Sequence, residues 1–204
     1  MIEFKDDLNI DFNKKNIASK YFLDKLNLVE ENDRSSPQYQ DPLNFPFYYY
    51  LSKYINPDSI CQIGVDLALP LCCFLQGSKS VKKILGFQFE DENFYSFRIA
   101  SSNIKKINKK INFDFYLGKL IDIDFQEKFN YKWDVIFINQ KLKGELIKET
   151  FEFVWPNLKS DGFMIVDFIN DNKLIKNHFL NFSKIQNREY VEFNTRYGVG
   201  IIKK

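Results

Sequence analysis

Glycine is scarce in this chain, with eight residues in 204, about half the usual share of roughly 7%. Proline numbers six, cysteine three and histidine one. Each shortage removes a class of protein. Collagen-like, linker and low-complexity chains need far more glycine and proline. A Ser/His/Asp hydrolase would have to use His178, the single histidine, and a G-x-S-x-G elbow that the sequence lacks. No P-loop and no G-x-G-x-x-G motif occurs, which argues against NTPases and nicotinamide dehydrogenases. Cys61, Cys72 and Cys73 form no C-x-x-C pair and lie in apolar text, where free cysteine behaves as a small core hydrophobe. No metal site is therefore expected from them.

Charge of one sign is also missing. Basic residues number 29 and acidic residues 27, for a net of +2. Nucleic-acid binders carry a basic excess or stripe, so nucleic acid is disfavoured as a partner. The dense run from Lys105 to Lys110 reads as a solvated helix end, where cations complement the helix dipole. The longest apolar run, Leu67 to Leu75, spans nine residues, against about 20 for a membrane-spanning helix. Met1 to Asn9 has no apolar segment of the signal-peptide kind. The expectation is a cytoplasmic protein with reduced thiols and no membrane partner.

What is present in quantity is aromatic side chain, 35 residues or 17% of the chain. Disordered chains are poor in such residues, because ordering entropy needs buried apolar area to offset it. This chain has ample core material. Residues 1–57 read as a helical extension, with a short helix over 17–28, a polar loop over 27–40 and a helix over 47–55. The last stops at Asn56-Pro57. The aromatic run Phe45 to Tyr50 is core at helical spacing, or else a stacking wall at a ligand mouth.

From residue 58 apolar strands alternate with helices. Strands are expected over 59–65, 82–89, 113–117, 133–139, 162–169, 190–194 and 199–202. Helices are expected over 66–75, 91–110, 142–158 and 173–182. Strands that are apolar throughout, with helical crossovers between them, imply a parallel sheet covered on both faces. The last two strands are too close for a crossover and must form a hairpin. The expected architecture is α/β. It is a doubly wound, mostly parallel seven-stranded sheet with a C-terminal antiparallel hairpin, in a domain spanning 58–204.

Ligands of such sheets sit at the carboxyl ends of the strands. There the chain reads Ile60-Cys61-Gln62-Ile63-Gly64, then Leu85-Gly86-Phe87-Gln88-Phe89-Glu90, then Leu117-Gly118-Lys119. It continues with Trp133-Asp134-Val135-Ile136-Phe137-Ile138-Asn139-Gln140 and with Leu158-Lys159-Ser160-Asp161-Gly162-Phe163-Met164-Ile165-Val166-Asp167. In order and spacing these segments resemble the class I S-adenosylmethionine-dependent methyltransferases, a Rossmann-like family, and most closely its small-molecule and sugar members. The resemblance implies S-adenosyl-L-methionine as cofactor and a small-molecule or glycan hydroxyl as acceptor, and leaves a homo-oligomer open. It implies cofactor contacts at Gln62, Gly64, Asp66, Gln88, Phe89, Glu90, Gly118, Lys119 and Asn139. It places a base or acceptor-side residue at Asp167 or Asp171.

The chain departs from the family where charge is concerned. Gln62, Gln88 and Asn139 stand at positions the family fills with carboxylates, and Asp66 and Ala68 stand where it has loop glycines. An amide still hydrogen-bonds, but it carries no charge. Asp66 and Glu90 are the candidates to compensate, Glu90 at the ribose. Two readings stay open: a divergent active enzyme, and a degenerate member serving as a binding or partner subunit. His178 reads as structural. Asp171 can also be a helix N-cap, and Asp167 a hydrogen-bonded strand end.

Overall fold

The computed structural model describes residues 44–89, 95–195 and 197–204. The expected helix over 17–28, the polar loop over 27–40 and Glu90 lie outside the described residues.

The first described element is helix α1 (Asn44–Ile55). It stops where Asn56 turns left-handed (φ 50°), with the Asn56 N–H closing onto the Ser52 carbonyl at 2.8 Å and Pro57 following. Phe47 and Tyr48 of the aromatic run are buried in the core, as is Leu51, while Tyr49 and Tyr50 are half-buried. Strand β1 (Ser59–Ile63) is buried at every position. Helix α2 (Leu69–Gly77) follows, with Leu69 to Leu75 all buried, and packs against α1. Then come β2 (Lys83–Phe89), α3 (Tyr95–Ile107), β3 (Asn112–Gly118), α4 (Ile123–Phe129) and β4 (Trp133–Ile138). Helix α5 (Leu146–Val154) runs through a short 3-10 turn (Trp155–Asn157) into β5 (Leu158–Asp167). Helix α6 (Lys173–Ile185) and the hairpin strands β6 (Tyr190–Phe193) and β7 (Val199–Lys203) complete the chain.

The seven strands form one sheet in the order β3-β2-β1-β4-β5-β7-β6. All neighbours from β3 to β5 are parallel, and β7 runs antiparallel to both β5 and β6. This is the expected mostly parallel sheet with its antiparallel C-terminal hairpin. The chain winds outward from β1 in one direction, then restarts at β4 and winds in the other, so the order reverses between β1 and β4.

Two apolar clusters cover the two faces. One joins Phe47, Tyr48 and the α2 side chains to Ile60, Val135, Phe137 and Ile165. The other joins Phe125, Phe129, Phe151 and Phe179 to Cys61, Ile63, Ile136, Ile138 and Val166. Successive strand residues thus feed opposite faces, as the pleat requires. The three cysteines are buried, and desolvation pushes their thiols up, consistent with core packing.

Several elements differ from the sequence expectation, among them β5, which begins at Leu158 and not at residue 162. Helix α2 begins at Leu69 and not at residue 66, because Asp66 (φ 43°) and Ala68 (φ 59°) are left-handed. Helix α5 begins only at Leu146, after left-handed Gly144 (φ 56°). Helix α4 was not expected; its signal was the pair Phe125 and Phe129, one turn apart, whose rings stack at 5.4 Å.

The amino edge of the sheet is tied by Asp134. Its Oδ2 accepts from the Ser59 N–H (3.0 Å), the Ser59 hydroxyl (2.8 Å) and the Asp58 N–H (3.2 Å), and its Oδ1 meets Lys159 Nζ at 2.7 Å. Burial pushes this carboxyl up, but the hydrogen bonds from Lys159 and Ser59 and the Lys159 charge outweigh it and hold it below the ordinary carboxylate range. A lowered folded-state pKa means the stabilisation is present above about pH 4, the unfolded carboxylate value, and is lost as pH falls through the folded value. Asp134→Asn should therefore cost about 1–3 kcal/mol at pH 7, with wild type and variant converging in acid. Urea unfolding at pH 7 and pH 3 measures both.

Candidate functional site

The site is built at the carboxyl edge of the sheet, where the strand order reverses. Gly64 ends β1 with φ 80°. A Cβ there would stand 2.6 Å from the Asn139 carbonyl oxygen, so only glycine lets β1 end against the end of β4. The ladder continues one step past both strands. The Gly64 N–H donates to Phe87 O and the Asn139 N–H donates to Ile63 O, each at 2.8 Å.

This continuation fixes which way the next side chains point. Ile60, Phe137 and Ile165 belong to the cluster on the α1–α3 face. Gln62, Asn139 and Asp167, each two residues further on, therefore face the same side. Gln88 is brought to that side as well, beside the first loop. Four polar side chains from four adjacent strands, β2, β1, β4 and β5, share one face at one edge. All four are buried, at 2%, 0%, 6% and 4% relative exposure.

Their hydrogen bonds differ. Gln88 Oε1 accepts from the Val65 N–H (2.7 Å) and the Asp66 N–H (3.1 Å), tying the first loop to β2. Gln62 Nε2 donates to Gly64 O at 2.8 Å. Its Oε1 and Asn139 Nδ2 are buried without a hydrogen-bond partner among the described residues. Asn103 on α3 donates from Nδ2 to Leu67 O at 3.0 Å, while its Oδ1 is likewise unpaired. Thr195 Oγ1, in the turn after β6, is unpaired too. Buried polar atoms without partners are uncommon in folded proteins and each calls for an explanation. Two of them, Gln62 Oε1 and Asn139 Nδ2, belong to the ends of neighbouring strands.

The first loop itself holds Asp66 and Ala68 in left-handed backbone that glycine adopts without cost. Each such residue stores on the order of 1 kcal/mol. The Ala68 methyl packs into the α1–α3 cluster. Asp66 is half-buried; desolvation raises its carboxyl, and a hydrogen bond from the Leu67 N–H pulls it partly back.

On the other side of the edge, Asp167 accepts from the Tyr48 hydroxyl at Oδ2 (2.5 Å) and from the Phe168 N–H at Oδ1 (2.8 Å). Phe168 is left-handed (φ 63°), its ring 5.6 Å from the Tyr197 ring. Lys141 Nζ lies 3.0 Å from Asp171 Oδ2 and about equally close to both rings, at 5.3 and 5.0 Å. Asn172, and not Asp171, caps α6, accepting from the Leu174 N–H at 2.8 Å.

No protein-family model matches the chain, and no curated protein matches it in sequence. Solved structures do match. A candidate caffeoyl-CoA O-methyltransferase from Staphylococcus aureus superposes with a TM-score of 0.67 at 18% identity, over 98% of this chain and 99% of that one. An SAH-bound methyltransferase from Podospora anserina gives 0.64 at 12% identity, over 98% and 94%. An O-methyltransferase from Bacillus cereus in complex with SAH gives 0.63 at 15% identity, over 96% and 97%. The fold is that of the class I methyltransferases.

Within the methyltransferase fold, the residues singled out from sequence fall into three groups. Gln62, Gly64, Asp66, Gln88 and Asn139 converge on the β1–β4 reversal and the first loop. Phe89 closes β2, half-buried, its ring edge-on to Phe87 at 4.9 Å. Gly118 and Lys119 lie at the end of β3, two strands from β1. There Asp122 Oδ2 accepts from the Lys119 N–H (2.7 Å) and the Tyr116 hydroxyl (3.1 Å). Asp167 and Asp171 stand beyond β4, on the β5 side. Sequence reasoning missed Asn103, which reaches the edge from a helix, and read Tyr48 only as part of an aromatic run, without its hydroxyl's bond to Asp167. It also missed Lys141. No group of three or more histidine, cysteine or acidic side chains that could hold a metal ion occurs among the described residues. Nor, among them, is any helix long and apolar enough to cross a membrane.

The bond from Gln88 to the first loop has a direct readout. Gln88→Met keeps side-chain length and removes the acceptor. Hydrogen exchange at the Val65 and Asp66 amides should accelerate by roughly tenfold or more, since each loses a buried bond of about 1 kcal/mol or above. Unchanged protection at both amides would show that the loop holds without it.

Proposed function

We propose that this chain is an S-adenosylmethionine-dependent methyltransferase acting on the hydroxyl of a small molecule or glycan. The observation that carries the reading is the pair of buried, unpaired amide atoms, Gln62 Oε1 and Asn139 Nδ2. They lie at adjacent strand ends where this fold reverses its strand order. An acceptor and a donor on one face of adjacent strands, two residues apart in register, match the ammonium and carboxylate of an amino-acid moiety. Leaving both unmet costs about 1–3 kcal/mol each, which a ligand recovers. The neighbours in complex with SAH support the same reading.

When bound, the cofactor supplies a methyl group already activated on a sulfonium. The protein's work is then mainly positional. Gly64 and the left-handed Asp66 shape the loop, and Gln88 holds it through two backbone amides. Gln62 accepts from, and Asn139 donates to, the amino-acid end. Glu90 takes the ribose, Phe89 gives an apolar wall, and Gly118 and Lys119 bound the far side. Asp167 would take the acceptor's proton, with the cofactor, when bound, supplying the methyl group. Asp171, ion-paired to Lys141, borders the acceptor side.

Calorimetric titration of the purified protein with S-adenosylmethionine and S-adenosylhomocysteine tests this. Saturable binding in the micromolar range is expected, weakened at least tenfold by Glu90→Ala, about 1.4 kcal/mol. No heat at millimolar ligand would overturn the enzyme reading and leave a degenerate, partner-binding subunit.

A further inference from the structure

We infer that the solvent face of helix α3 is a docking surface for single-stranded nucleic acid, which it holds by the phosphodiester backbone. The surface is separate from the strand-end site, and the inference does not rest on the function proposed for that site.

From Tyr95 to Phe113 the chain carries Arg98, Lys105, Lys106, Lys109 and Lys110 and no acid. The net charge of +2 conceals this stripe, because the acids lie elsewhere. Helix α3 turns Ala100, Asn103 and Ile104 into the core, which leaves Arg98, Ser102 and Lys105 exposed on the opposite face. These three recur at helical spacing, and Arg98 to Lys105 spans about 10 Å of helix axis. Lys109 continues the line just past the helix end. With Phe97, Ser101 and Lys106 they line a groove of about 780 Å³. The helix dipole accounts for Lys105 and Lys106 in the last turn. It does not account for Arg98, which stands in the first turn, where a cation is disfavoured. Among the described residues, no carboxylate forms an ion pair with Arg98, Lys105 or Lys109.

Cations without acidic partners, beside hydroxyls in a groove, suit phosphate oxygens. Arginine and lysine supply the charge and serine supplies hydrogen bonds, the groups that hold nucleic-acid backbones. Phe97, half-buried with its ring 4.4 Å from that of Phe115, gives a base an apolar contact at one end of the groove. An anionic bilayer fits less well. A basic helix that lies on a membrane also presents large apolar side chains for insertion. Among the described side chains of α3, no large apolar one is exposed.

Fluorescence anisotropy with a labelled short oligouridylate tests the inference. Micromolar binding is expected at about 50 mM salt, weakened about twentyfold or more at 200 mM, as three or four single-strand phosphate contacts require. Lys105→Ala combined with Lys109→Ala should weaken binding at least tenfold at low salt and flatten the slope of log K against log salt by about 1.4. Arg98→Ala should flatten it by about half as much. Lys148→Ala, at an exposed lysine of α5, should change neither, with circular dichroism confirming that each variant folds. Absence of binding at low salt would overturn the inference. So would equal affinity for a duplex of the same length, or a loss in Lys148→Ala as large as in the α3 pair. Binding to phosphatidylserine vesicles with none to the oligonucleotide would overturn it in favour of a membrane surface.

Discussion

The structure depends on the contact between the end of β1 and the end of β4. β1 is central and buried on both faces, so its backbone has no solvent to fall back on and must stay paired. It pairs β2 on one side and β4 on the other, and the ladders run one residue past its end. Gly64 makes this close approach feasible, because any side chain there would collide with the Asn139 carbonyl. From that junction the chain winds in opposite directions, so the strand order reverses between β1 and β4 at the carboxyl edge. The first loop and the buried polar side chains at the strand ends are arranged around it.

The polar groups at this edge follow a consistent economy. Where the structure needs a bond to hold itself together, one is made. Gln88 accepts from two loop amides, Asp167 accepts from Tyr48 and Phe168, and Asn103 reaches the Leu67 carbonyl. Gln62 and Asn103 are each held at the nitrogen end of the amide, while the oxygen end is unpaired among the described residues. Anchored, desolvated dipoles of this kind are what positional catalysis requires, because they need no reorganisation when a ligand arrives. The loop also keeps its left-handed backbone where glycines are absent, which indicates that its shape is imposed by its surroundings.

The fold was legible in the sequence to the extent that burial patterns were continuous. The strands ending at Phe89 and beginning at Trp133 are mostly apolar, interrupted by Lys83 and Gln88 in the first and Asp134 in the second, and such runs have few alternatives. The closing hairpin was forced by chain length, since the eight positions from Glu192 to Val199 leave no room for a crossover helix. Several of the misread boundaries fall at backbone that turns left-handed without announcing it, though the junction of α5 and β5 does not. Asp66 and Ala68 look helical in composition, yet their conformation is set by the Gln88 bond and by close packing of Val65 over Gly86. The short helix at Ile123 escaped notice because two buried phenylalanines are a weak signal against exposed Ile121 and Ile123 on the same segment.

Of the site, the strand-end residues could be placed from sequence, because a strand's pleat and a parallel sheet's ends are local properties. Their roles could not, because a role depends on which partner arrives from a distant part of the chain. Tyr48 meets Asp167 across 119 residues and Gln88 meets Val65 across 23. The sequence by itself determined the α/β layering and the substitution of amides for carboxylates, since periodicity and residue identity are written in it. Only the tertiary structure decided which amide atoms are spent on the protein and which remain for a ligand, since hydrogen bonding is exclusive and its partners are chosen in three dimensions.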